Sequence, residues 1–295
     1  NLAILHGDLA LYELNYGLDP RESARQATAW CETAIAQTPD NVYLKLILTN
    51  AHMVLAIFEL NIGGEGTAIR RFLEVSQSAV RSNPEHHQAH IQLCQANELM
   101  ARWQIRRGED PTAAIEAAID AGRKAVALNS SNPYCPQTLA AACLVDAEWR
   151  LQRGEYPRAA LVEAETHAMQ ALRLNPADIE MIIMAARVER WQAAARLARW
   201  QDPGPLVQAA LARLDKAAKM DAREPRVPQF QGECWLLWAS HEPDPGQKRQ
   251  KSERAVASFR EALRRNPHLK LAVTPYLQQA EALTGAVAAN PRTNP

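Results

Sequence analysis

The chain has 295 residues with 33 Lys and Arg against 33 Asp and Glu, a balance that excludes the long-range pull toward nucleic acid or anionic membrane that a basic protein exerts. Apolar residues make up 47%, aromatics only 6%, and alanine alone accounts for 53 positions, so the apolar content is largely methyl groups suited to close helix packing. No uninterrupted apolar run reaches the 18 residues of a membrane span, and no basic-then-apolar leader opens the chain, so neither membrane nor nucleic acid is expected as a partner. Five cysteines without a CxxC pair argue against a disulfide framework and place the chain in a reducing, cytoplasmic compartment. It begins at Asn1 in the middle of a helical pattern, which is what a piece of a longer polypeptide would show.

One phrase recurs six times, anchored at Ala34, Ala79, Ala125, Ala171, Ala217 and Ala262, with spacings of 45 or 46 residues. Five residues after four of these anchors stand Pro39, Pro84, Pro176 and Pro267. Seven before them stand Ala27, Phe72, Ala118, Ala164, Ala210 and Ala255, and ten before them Ala24, Ile69, Ile115, Leu161, Val207 and Ser252. Offsets of three, seven and ten trace one helix face. A turn phrase precedes these helices, as in Gly17-Leu18-Asp19-Pro20, Gly108-Glu109-Asp110-Pro111, Gly154-Glu155-Tyr156-Pro157 and Trp200-Gln201-Asp202-Pro203. It reads as a glycine-capped helix end, then Asp as N-cap and Pro in the first turn of the next helix.

The longer segments between, 41–62, 86–107, 135–153 and 178–200, predict a first (A) helix for each unit, and the anchored segments a second (B) helix. The expectation is all-α: an α-solenoid of six antiparallel hairpins forming one elongated repeat domain. Its units span about 1–39, 40–84, 85–132, 133–176, 177–224 and 225–268, with a capping helix over 269–290 and a tail to 295.

Ala at one slot, Ala seven later and Pro five after that resembles the second helix of the tetratricopeptide repeat, over essentially residues 1–268. The departure is length, 46 residues against that family's 34, so the chain looks like an elongated variant; a period near 46 also fits HEAT or armadillo repeats. The R-G-E-x-P turn phrase resembles repeat regions downstream of bacterial serine/threonine kinase domains, although the kinase core motifs are absent. These resemblances imply a non-enzymatic scaffold that binds a protein or peptide in a groove formed by A helices, and that serves as a regulatory or recruiting arm in signalling. The alternative is a sensing arm that takes a small molecule in that groove.

At the slot 25 residues before each anchor stand Leu9, Val54, Met100, Asp146, Gln192 and Leu237, which makes Asp146 and Gln192 polar exceptions on an apolar stripe. Asp146 with Arg150, and Arg187 and Arg190 in the next A segment, reads either as a charged recognition spot or as an ion pair between units. Asn50, Gln95, Asn97 and Arg102 lie mid-helix, where they could hold an extended peptide backbone. Trp200 replaces a turn glycine and should lie near the surface. His86, His87, His90 and Cys94 sit at ligand-like spacings, yet the bland reading of solvated histidines and a packed thiol is preferred, so no metal and no cofactor is expected. No nucleophile elbow or positioned base appears, so no catalytic residue is expected. Residues 1–62 carry seven acids against three bases and residues 246–270 eight bases against two acids, a polarity that would suit weak head-to-tail self-association.

Overall fold

The computed structural model describes residues 2–289, and every regular element among them is helical. In chain order the α-helices are α1 (Leu2–Asn15), α2 (Arg21–Gln37), α3 (Val42–Ile62), α4 (Thr67–Ser82), α5 (His87–Arg107), α6 (Thr112–Leu128) and α7 (Tyr134–Gln152). They continue as α8 (Arg158–Leu174), α9 (Ile179–Leu197), α10 (Gly204–Met220), α11 (Arg226–His241), α12 (Pro245–Arg265) and α13 (Lys270–Ala289), the last preceded by a 3-10 turn, Pro267–Leu269. The described chain divides into two compact units, Asn1–Pro176 and Ala177–Pro295. The first holds four antiparallel hairpins; the second holds two, followed by α13. Position 290 of the expected capping helix and the tail after it lie outside the described residues.

The anchors explain how each B helix ends. The backbone N–H of the residue four past the anchor donates to the anchor carbonyl in every case: Thr38 to Ala34, Asn83 to Ala79, Asn129 to Ala125, Asn175 to Ala171, Asp221 to Ala217 and Asn266 to Ala262, at 2.9–3.2 Å. Several of these cap residues then turn their own side chain onto the following backbone. Asn83 accepts from the Glu85 N–H, Asn129 from Ser131 and Asn132, Asp221 from Arg223, and Asn266 from His268. Short polar side chains compete with helical hydrogen bonding in this way, and the proline that often follows cannot continue the helix. From Ala79 to Ala262 the anchors are fully buried, while Ala34 is half-buried.

The starts of four B helices, α2, α6, α8 and α10, differ from expectation by one residue. Pro20, Pro111, Pro157 and Pro203 occupy the cap position itself. The preceding Asp19, Asp110 and Asp202 accept from the N–H two residues on, at 3.1, 3.0 and 2.8 Å. The carboxylate still faces the positive end of the helix and satisfies an orphan donor, because proline has no N–H to offer.

Helix α3 is long and apolar enough to cross a bilayer by length and composition, although it carries Lys45, His52 and Glu59. Half of that stretch is buried, by its packing against α1, α2, α4 and α5. Its apolar residues are spent on both neighbours: Val54 and Phe58 join Ala10, Leu14 and Ala24, while Ala56 and Leu60 join Ile69, Phe72, Ala96 and Leu99. A helix enclosed by others loses its polar stripe, which is why it mimics a membrane span.

Glycine permits two close approaches. A Cβ on Gly66, whose φ is +80°, would stand 2.7 Å from the Trp103 ring, and one on Gly232 would stand 2.6 Å from Phe259. In the first unit this seats the α5 indole on the α3–α4 turn; in the second it lets α11 press against α12.

Candidate interaction surface

Within each unit the A helices form the inner layer. α1, α3, α5 and α7 each approach the next in turn, as do α9, α11 and α13, whereas among the described residues no two B helices of a unit approach within 8 Å between Cα atoms. Crowded A helices and splayed B helices bend such a stack so that the A layer lies inside.

Gln92, Gln95, Leu99, Arg102 and Arg106 stand at offsets of 3, 7, 10 and 14, on one face of α5. Three of them bond to neighbouring A helices. The Gln92 amide donates to the Leu46 carbonyl at 3.1 Å and to Asn50 Oδ1 at 2.7 Å. Arg106 donates to the Leu60 carbonyl at 2.5 Å, and Arg102 lies 3.0 Å from Glu98 and 3.5 Å from Glu148 of α7. Gln95, between them, is half-buried. Asn50, Gln95 and Arg102, singled out from the sequence, therefore fall on one polar ladder that crosses α3, α5 and α7. Gln92, Glu98, Arg106 and Glu148 complete it. Their sequence signal was present but faint: Leu46 and Gln92, Leu60 and Arg106, and Arg102 and Glu148 are each 46 residues apart.

The remaining candidates are dispersed. Asn97 is buried and donates to its own helix, to the Leu93 carbonyl at 2.9 Å. Asp146 lies about 200° around α7 from Glu148. It lines a cleft of about 170 Å³ between α6 and α7, where Arg150 donates to both its oxygens at 2.9 and 3.0 Å. That bond and the Asp146 charge push the Arg150 guanidinium further above its ordinary range.

In the second unit Arg190 is buried, lies 3.1 Å from Glu233 of α11 and stacks on Trp191, 4.0 Å from the ring centroid. Arg187 lies over Phe230 at 5.5 Å, and Gln192 is half-buried on the same helix. Nearby, Arg226 of α11 bridges Glu224 and Glu180 of α9. Burial works to raise Glu180, and the Arg226 charge outweighs it, leaving the carboxyl below its usual range. Trp200 is 92% exposed in the α9–α10 turn with φ +58°, a left-handed conformation usually left to glycine.

The histidines take separate partners. His90 bonds the Pro84 carbonyl at 2.7 Å and His87 meets Asn132 at 3.1 Å, while His86 stacks on His87 and the buried Cys94 thiol donates to the Thr138 carbonyl. Among the described residues no three His, Cys, Asp or Glu side chains are placed to hold a metal ion. All five thiols are buried and unpaired; burial pushes Cys31 and Cys135 up to about 11 and Cys143 and Cys234 up to about 12, far from a reactive thiolate.

No family model and no curated protein matches this chain. Solved structures do. The S. pombe nuclear import adaptor Nro1 aligns with a TM-score of 0.52 at 13% identity, over 95% of this chain and 97% of its own. A human IFIT1 dimer solved with m7Gppp-AAAA aligns with a TM-score of 0.56 at 15% identity, over 90% of this chain, which spans 56% of IFIT1. TTC0263 of Thermus thermophilus, described as a thermophilic TPR protein, gives a TM-score of 0.49 at 17% identity, over 78% and 99%. At these identities the likeness is one of fold: an all-α repeat of antiparallel helical hairpins.

Proposed function

We propose that this chain is a non-enzymatic scaffold that binds a protein or peptide partner along the inner A-helix layer of its first unit. The observation that carries the reading is the ladder from Asn50 through Gln95 to Arg102 and Glu148. It sets the exposed Asn50 amide and the half-buried Gln95, Arg102 and Glu148 side chains at intervals along an inner surface, where they can meet a partner's backbone and charges. Polar groups in reach of solvent on three successive A helices favour recognition over mere packing, which an apolar surface would serve as well.

The wider setting belongs to the same proposal. The turn phrase Arg153-Gly154-Glu155-Tyr156-Pro157 supports a recruiting region of a larger signalling protein such as a bacterial serine/threonine kinase. Five buried, unpaired thiols fit a cytoplasmic setting. IFIT1 was solved with a capped oligonucleotide; the overall charge balance here favours a polypeptide.

The test is capture from lysate with the whole chain as bait, read by mass spectrometry, beside a Gln95→Arg/Arg102→Gln double variant of unchanged helicity. A partner held by the native chain should be lost or weakened at least tenfold with the variant. Equal capture by both would remove the ladder as the binding surface, and capture of RNA in place of protein would overturn the partner class.

A further inference from the structure

Splayed B helices leave clefts on the outer side of each unit, and their cations differ in one respect. In the α6–α7 cleft Arg150 is paired with Asp146 and Glu155, and Arg153 with Glu155. In the open cleft between α12 and α13, Arg249 is paired with Glu253 and Arg260 with Glu281. The third cleft, about 310 Å³, runs between α2 and α4 with α3 as its floor, and is lined by Ile35, Lys45, Leu48, Arg71, Glu74, Val75, Ser78 and Arg81. There Arg71 is balanced by Glu74 at 3.2 Å and Glu32 at 3.7 Å. Lys45, half-buried on the floor, donates to the Ser82 hydroxyl and has no carboxylate within 4 Å among the described residues, and neither does Arg81 on the rim.

We propose that this cleft binds a small organic anion, with a phosphate or carboxylate head between Lys45 and Arg81 and an apolar body against Ile35, Leu48 and Val75. A half-buried ammonium bonded only to a neutral hydroxyl keeps most of its desolvation cost, and an anion arriving at Lys45 removes it. Lys45 of α3 and Arg81 of α4 line the same cleft, and Ser78 adds a hydroxyl to its wall. The volume lies at the lower end of small-molecule sites, and the mixture of apolar wall with few polar groups is what such sites share. One turn beyond Leu48 on the same face of α3, His52 is buried with an unpartnered Nε2, a second polar atom whose hydrogen-bonding capacity the fold leaves unused. This site is separate from the inner ladder and stands whether or not that surface binds a polypeptide.

Isothermal titration calorimetry of the whole chain at low salt, with phenyl phosphate, benzoate and phenol as probes, tests the assignment. At least one of the two anions should bind and phenol should not, and the stronger anion identifies the head group. Arg81→Ala, at an exposed position without an ion-pair partner among the described residues, and Lys45→Met should each weaken that binding at least tenfold while the circular-dichroism melt of Arg81→Ala stays unchanged. Absence of heat for both anions at millimolar concentration would overturn the proposal, as would anion binding that Arg81→Ala and Lys45→Met leave intact.

Discussion

Arg102 in the first unit and Arg190 in the second do the same mechanical job, each tying its A helix to a carboxylate on the next A helix. They differ in access to water. Arg102 shares Glu98 and Glu148 on a surface where its side chain keeps 24% exposure, whereas Arg190 and Glu233 keep only 10% and 9%. A guanidinium at a wet edge can exchange a carboxylate for a partner group at small cost. One that is sealed and stacked on an indole cannot, so Arg190 fastens the fold and the recognition proposed above falls to Arg102.

The largest effect should come from breaking the sealed pair. Arg190→Ala strands Glu233 and should cost about 3–5 kcal/mol in urea unfolding, while an Arg190→Met/Glu233→Leu double variant should recover most of it. A loss under 1 kcal/mol for the single variant would show that the pair is as wet as Arg102.

His52 is a buried group with no partner to hold its charged form. Burial, and to a lesser degree the Arg71 charge, lowers its pKa from 6.5 to about 4. The unfolded chain therefore takes up the proton first as pH falls. Stability is full above 6.5 and declines toward pH 4, by about 3 kcal/mol at its limit. Comparing melts at pH 7 and 4.5 should show this decline in the native chain and a flatter response in His52→Leu; equal slopes would place the sensitivity elsewhere.

Arg102→Gln should cost only about 1 kcal/mol of stability, since its pairs are part-exposed, yet lower partner capture markedly. A stability loss as large as that of Arg190→Ala would erase the contrast between the two arginines. The smallest change carries the opposite sign. Trp200→Gly relieves a left-handed non-glycine backbone and should stabilise by about 1 kcal/mol in thermal unfolding, because a fully exposed indole gives up little packing.

Much of the fold was legible in the residues, because the Ala anchors, turn glycines and prolines act locally. The expected A segments 41–62 and 86–107 end within a residue of α3 and α5. The segment 178–200 overran, since Ala198 to Trp200 turn without a glycine to mark the stop. The site was less legible. Asp146 stood out because its slot is apolar in four of the six units, but that slot faces neighbouring hairpins, as Val54 and Met100 show by packing there, and Asp146 sits at the outer cleft beside Arg150. Gln92 and Glu148 were inconspicuous among many surface-type residues, and their role emerges only from which helix lies opposite.

By itself, then, the sequence determined where helices start and stop and which alanines allow close approach, since these follow from backbone hydrogen bonding and side-chain volume within a few residues. Tertiary structure decided which cations are neutralised across helices and how far each is sealed from water. Whether Arg190 is sealed, Arg102 shared or Lys45 left with a hydroxyl depends on carboxylates and solvent brought in by other helices, and a charge's environment is set by packing rather than by its neighbours in sequence.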